Sequence, residues 1–178
     1  INLTLQTHIA VGNGNDYAIK PAGLIKSTTG SFPSVSGVTS EQGVGVAAFG
    51  GGGILGPNEY TLQINTSFDQ TTAACSGHSG CTIWQQYVYA PDYNVQGEAA
   101  VFIEYWLIGY GNRCPSGGWE SDGEGDCVKN SNATSAPDVP ITELANLKLT
   151  GTATAGGNDT ITFSDGTEAY TFTAKDSV

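Results

Sequence analysis

Period-two alternation in two neighbouring runs constrains this chain most. TIWQQYVYA (residues 82–90) and AVFIEYWLI (residues 100–108) flank one polar loop. Successive side chains of a strand point to opposite faces. In the second run Phe102, Glu104, Trp106, Ile108 and Tyr110 therefore share one side, and Val101, Ile103, Tyr105 and Leu107 the other. Both sides are apolar or aromatic, which predicts a central strand. In the first run Gln85, Tyr87 and Tyr89 face one way and Trp84, Gln86 and Val88 the other. A hairpin of the two brings Gln85 or Gln86 to the level of Glu104. A carboxylate among large rings needs a partner or a raised pKa. Glu104 is then either an ordinary buried acid bonded to a Tyr or Gln, or part of a cleft floored by rings.

The rest of the chain predicts an all-β fold. Runs such as YTLQINTSF, LKLTGTATA, DTITF and AYTFTA alternate between clusters of Gly, Asn, Ser and Pro. Many short strands at this spacing predict an antiparallel β-sandwich or a partly closed barrel. DTITF-SDGT-EAYTF reads as a hairpin around Asp165-Gly166. The best helical stretch is PITELANL, Pro140 to Leu147, with Thr142 as its cap. FGGGGILGPN reads as a flexible surface loop, and no internal repeat stands out. With 178 residues, residues 1–178 are expected to form one domain.

Charge and cysteine content narrow the function. Six basic against 17 acidic residues give a formal net charge of −11, which excludes a nucleic-acid partner. No apolar run approaches the roughly 20 residues needed to span a bilayer. The chain begins at Ile1 with no visible signal peptide, which reads as a processed N-terminus. Cys75 with Cys81, and Cys114 with Cys127, form two close pairs in segments rich in Gly and Ser. Four cysteines allow three connectivities; local pairing is expected, in a secreted, extracellular protein. A zinc site is disfavoured, because the spacing is not CxxC and His78 is the one nearby imidazole. Asn2, Asn65, Asn132 and Asn158 head N-x-S/T triplets, glycosylation sites if the host has the machinery. Glu120, Asp122, Glu124 and Asp126 alternate in WESDGEGDC, but the loop lacks an EF-hand's closing Glu and reads as a solvated acidic loop. No metal or cofactor is expected. Of nucleophile machinery there is no G-x-S-x-G elbow, and the histidines are His8 and His78.

The motifs TTGSFPSVSGVTS, YTLQINT, the strand after Cys81, FIEYW and TITFSDGTEAYTFTA follow one another over roughly Thr28 to Val178. Their order resembles that of the secreted fungal glutamic peptidases, the eqolisins. The chain looks closer still to a group of secreted microbial proteins, through WQQYVY, YWL, CPSGGW and CVKNS. The eqolisin resemblance implies a jelly-roll-like antiparallel sandwich. It implies acid-active peptide hydrolysis by a Glu that activates water and a Gln amide that steadies the oxyanion. Carried over, the catalytic Gln falls on Gln85, with Gln86 second, and Glu104 matches the Glu of the aromatic cleft strand. Gln86, Tyr87 and Trp106 would contact a protein or peptide substrate. Thr61 and Asn65 replace the Trp and Asp of the family's cleft strand. The family's general base belongs after the EAYTFTA hairpin. The chain is accordingly expected to be the larger N-terminal part of a longer precursor. A second chain or neighbouring copies would then complete its sheet.

Two other readings compete. Glu104 with Glu168 superficially resembles the carboxylate pair of jelly-roll xylanases, which would make the chain a glycoside hydrolase. Alternatively the chain is a non-catalytic carbohydrate-binding or self-assembling surface protein, presenting Tyr87, Tyr89, Tyr93 and Trp119.

Overall fold

The structure is a computed structural model and describes residues 21–44, 54–57, 60–93 and 95–178. The strands in chain order are β1 (Ser27–Ser31), β2 (Gln42–Val44), β3 (Ile54–Pro57), β4 (Leu62–Asn65), β5 (Thr82–Ala90) and β6 (Ala100–Ile108). They continue with β7 (Glu120–Ser121), β8 (Cys127–Asn130), β9 (Thr134–Ser135), β10 (Lys148–Thr152), β11 (Asn158–Ser164) and β12 (Ala169–Lys175). Every pairing among the described residues is antiparallel. One sheet has the order β1-β10-β11-β12. The larger runs β4-β5-β6-β8-β7, with β9 also on β6. The expected β-sandwich is what the chain forms, and β6 is central to its sheet.

The core lies between these two sheets. Tyr87, Tyr89, Val101, Ile103 and Tyr105 meet Leu149, Ile161 and Phe163 across it. Alternation accounts for each choice: β11 buries Asp159, Ile161 and Phe163 while Thr160 and Thr162 lie half-buried on its other face. Tyr89 stacks on Phe163 with ring centroids 3.8 Å apart. Its hydroxyl donates to Pro137 O and accepts from Val139 N. Burial pushes that hydroxyl up to about 12. Tyr87 and Tyr89 are thus core residues, not exposed binding rings.

The sheets approach most closely where Gly151 lies under the Tyr87 ring. A Cβ built on Gly151 would stand 2.5 Å from Tyr87 Cδ2. Gly151→Ala is therefore expected to cost about 1–3 kcal/mol through forced repacking. Its urea midpoint should fall with an unchanged slope; an unchanged midpoint would show that the sheets can part there.

Both disulfides are local. Cys75–Cys81 and Cys114–Cys127 have Cα separations of 5.5 and 5.6 Å, and no described cysteine is free. The second ties the loop after β6 to the start of β8. The β11–β12 hairpin turns at Asp165–Gly166 as expected: Asp165 Oδ1 accepts from the backbone of Thr167 and Glu168, and Gly166 takes φ 94°.

Two local expectations are corrected. Residues Ile141–Asn146 form a 3-10 helix whose cap is Pro140, without a side-chain hydrogen bond, and Thr142 sits inside it. Within FGGGGILGPN, Ile54–Pro57 is a strand paired with β2. Asn2 and His8 lie outside the described residues. Among the described residues, no helix is long and apolar enough to cross a membrane.

Candidate functional site

Register decides which side chains share the outer face of the larger sheet. Gln86 pairs Asn65 on one side and Glu104 on the other, and Glu104 pairs Asn130. Asn65, Gln86, Glu104 and Asn130 thus form one polar row across four strands. The row on one flank is Trp84, Trp106, Val128 and Glu120. On the other flank stand exposed Gln63 and the buried Val88 and Phe102, which pack with Ala90 in a small apolar cluster. Strands are about 4.8 Å apart, and rows on one face are separated by two residues, roughly 7 Å.

Hydrogen bonds knit the polar row. Trp106 Nε1–H is shared between Glu104 Oε1 and Gln86 Oε1, each at 2.8 Å. Gln86 Nε2 donates to Gln63 Oε1 at 3.1 Å and to Asn65 Oδ1 at 3.2 Å. A glutamine amide has two N–H donors, so both donors of Gln86 are engaged within the protein. Gln86 is 4% exposed. Glu104 is half-buried and also bonded by the Asn130 side chain. Burial raises its pKa, and the bonds from Trp106 and Asn130 offset part of that rise. Among the described residues, no basic side chain contributes to keeping it ionised.

Rings border the row. Trp84 and Trp106 lie 6.2 Å apart at 38°, and exposed Phe68 meets Trp84 edge-on at 6.3 Å. Tyr93 packs on Phe102 at 4.7 Å. Its hydroxyl pKa is raised by burial and then by the charge of Glu104, which places Tyr93 within electrostatic reach of the row.

Gln85 is on the other side of the same sheet. Its register partner is Tyr105, and its Nε2 donates to Asp159 Oδ2 at 2.8 Å, deep between the sheets. Tyr105 OH donates to the same oxygen at 3.0 Å, and Thr154 N to Oδ1 at 2.8 Å. Asp159 is 1% exposed. The structure therefore does not bring Gln85 and Glu104 together: they are neighbours in register but on opposite faces, because adjacent strand residues alternate. Tyr87 belongs to the inner side as well, with a buried hydroxyl that has no hydrogen-bond partner. Of the five residues expected at the site, Gln86, Glu104 and Trp106 converge, and Gln85 and Tyr87 do not. The sequence reading missed Asp159. Its signal was legible in DTITF, where Asp159 takes the same alternation phase as Ile161 and Phe163.

The other candidates lie elsewhere. Glu168 sits in the β11–β12 turn of the smaller sheet and accepts from Tyr170 OH, so it does not face Glu104 across a cleft. Asp122 Oδ1 accepts from the backbone of Glu124 and Asp126, and Asp126 Oδ1 from Gly109 N. Among the described residues no group of three or more His, Cys, Asp or Glu is placed to hold a metal ion. His78 stacks on Tyr110 at 3.5 Å, with Nδ1 2.7 Å from Tyr110 O. Trp119 is half-buried, 6.0 Å beneath Lys129 Nζ. Asn65, Asn132 and Asn158 are all exposed.

No family model, curated protein or solved structure matches this chain. The resemblance to the eqolisins therefore rests on the quoted motifs alone.

Proposed function

We propose that this is a secreted glycan-binding protein that lays a sugar chain on the outer face of its larger sheet. The observation that carries this reading is the Asn65–Gln86–Glu104–Asn130 row beside a row bearing Trp84 and Trp106, where Glu104 and both tryptophans are half-buried and so part-open to solvent. Sugars present C–H faces that stack on rings and hydroxyls that pair with amides and carboxylates, and binding sites combine these two kinds of group. The saturation of Gln86 favours binding over catalysis, since an oxyanion donor must have an N–H to offer. The two disulfides fit an oxidising compartment.

Tryptophan fluorescence, titrated with a panel of soluble oligosaccharides, tests the reading, because Trp84 and Trp106 border the row. At least one class of oligosaccharide is expected to bind. Trp84→Ala and Trp106→Ala should each weaken it about tenfold, or roughly 1.4 kcal/mol. If no oligosaccharide in the panel binds, the reading fails.

One observation favours a second reading, an acid-active hydrolase. Glu104 carries a burial-raised pKa and shares one Trp106 N–H with Gln86. In that reading Glu104 transfers the proton, with Gln86 taking the place of Gln85. Release of peptides or reducing sugar in mild acid, abolished by Glu104→Gln, would support it over simple binding.

A further inference from the structure

The glycan-binding reading leaves the class of sugar open, and the charge pattern of the face narrows it. A carboxylate offers about four lone-pair positions. On Glu104, Trp106 and Asn130 are the side chains that donate, which leaves about two positions for a ligand. The described residues of the three rows include no Lys or Arg. Lys129, the nearest in register, pairs Tyr105 on the inward-facing side of β8. Glu120 adds a second acid at the β7 end of the Trp row. The chain as a whole carries −11. Among the described residues no cation pairs with this half-buried carboxylate, and a cationic ligand group would meet it with a charge-assisted hydrogen bond. Rings beside it add a second attraction for a cation, since ammonium groups are drawn to the faces of Trp and Tyr. Trp106 turns its N–H edge to Glu104, Trp84 lies 6.2 Å from Trp106, and Tyr93 packs on Phe102 within reach of the charge of Glu104.

We propose that the ligand of this face is an amino sugar with a free amine, of the deacetylated glucosamine-oligomer class. Its ammonium pairs with Glu104, its ring stacks on Trp84 and Trp106, and its hydroxyls meet Asn65 and Asn130. This inference rests on the glycan-binding reading. Uronic-acid oligomers are repelled by the same charges, and N-acetylation removes the cation.

The test is calorimetric titration of the intact protein with short glucosamine, N-acetylglucosamine, neutral glucose and uronic-acid oligomers of equal length. Glucosamine oligomers are expected to bind at least about tenfold tighter than the acetylated or neutral ones, which is roughly 1.4 kcal/mol. Uronic oligomers should not bind. Glu104→Gln should abolish that preference, so that amine and neutral oligomers bind the variant alike. Glu168→Gln, which removes an equal charge from the β11–β12 turn of the other sheet, should keep it. The preference should also fade as pH falls through the raised pKa of Glu104, because protonation removes the anion. A preference that survives Glu104→Gln, or falls equally in Glu168→Gln, would reduce the effect to the general attraction of an acidic protein and overturn the proposal. Equal binding of neutral and amine oligomers overturns it too, yet leaves the glycan-binding reading standing. Binding of no oligomer removes both. Circular dichroism of each variant separates loss of contact from loss of fold.

Discussion

Asp159→Ala is expected to be among the most damaging single substitutions in this chain, at a cost of several kcal/mol. The carboxylate is enclosed between the sheets and accepts from Gln85 Nε2, Tyr105 OH and Thr154 N. Alanine leaves three donors without an acceptor. Each buried unsatisfied donor costs about 1–3 kcal/mol, and a cavity is added to that. The donors come from β5, from β6 and from the loop between β10 and β11, so the loss falls on the contact between the sheets. Asp159→Asn keeps the shape and one acceptor oxygen for Thr154 N. Gln85 can turn its amide to accept from the new N–H. The asparagine variant should therefore be clearly less destabilised than the alanine variant. Urea unfolding with the disulfides intact gives both values. A loss below about 1 kcal/mol in Asp159→Ala would mean that the three donors find other acceptors.

What the sequence made legible follows from what alternation can carry. Strict period two in residues 82–90 and 100–108 assigns faces within each strand. Those assignments match the burial of Val101, Ile103, Tyr105 and Leu107. Alternation does not say which residue of one strand stands opposite which of the next. That register, Gln86 against Glu104, decides that the amide beside the acid is Gln86 and that Gln85 serves the core. It depends on the length and turn of the 91–99 connection, for which the sequence offers no two-residue turn signal. The same limit explains Tyr87 and Tyr89. Their phase was clear, but which phase faced the second sheet depended on β10 and β11, more than fifty residues away. Local signals fared better: the Asp165–Gly166 hairpin and both short-range disulfides need no distant partner.

The protein is expected to melt at higher temperature as pH is lowered from neutral toward the ordinary carboxylate range, against the usual preference of folds for near-neutral conditions. Burial, reinforced by the charge of Asp176, raises the pKa of Asp159 above its ordinary 3.8, although its three hydrogen bonds oppose the shift. Burial also raises Glu104 and Glu41, and burial with the charge of Asp92 raises Asp138. An acid whose folded pKa exceeds its unfolded value binds its proton more tightly when folded. Its contribution to stability is complete below the unfolded value and is lost as pH rises through the folded one. All four therefore favour the fold on the acid side, with solvent weakening the share of Asp138, which is exposed. Asp122 and Asp165 act in the opposite sense. Backbone N–H groups lower their pKa, so their contribution is lost as pH falls through their folded values. Those values lie below the ordinary 3.8, outside the window in question, and both carboxyls are on exposed loops where solvent weakens the effect. Relief of repulsion in a chain of net charge −11 adds to the acid-side gain. Stability should then peak in mild acid and decline in stronger acid. Calorimetric melts across this range provide the measurement, with Asp159→Asn expected to flatten the slope because it cannot titrate. A melting temperature that falls steadily as pH is lowered from neutral toward the ordinary carboxylate range, or an unchanged slope in Asp159→Asn, would show that the buried carboxyl is not what links this fold to protons.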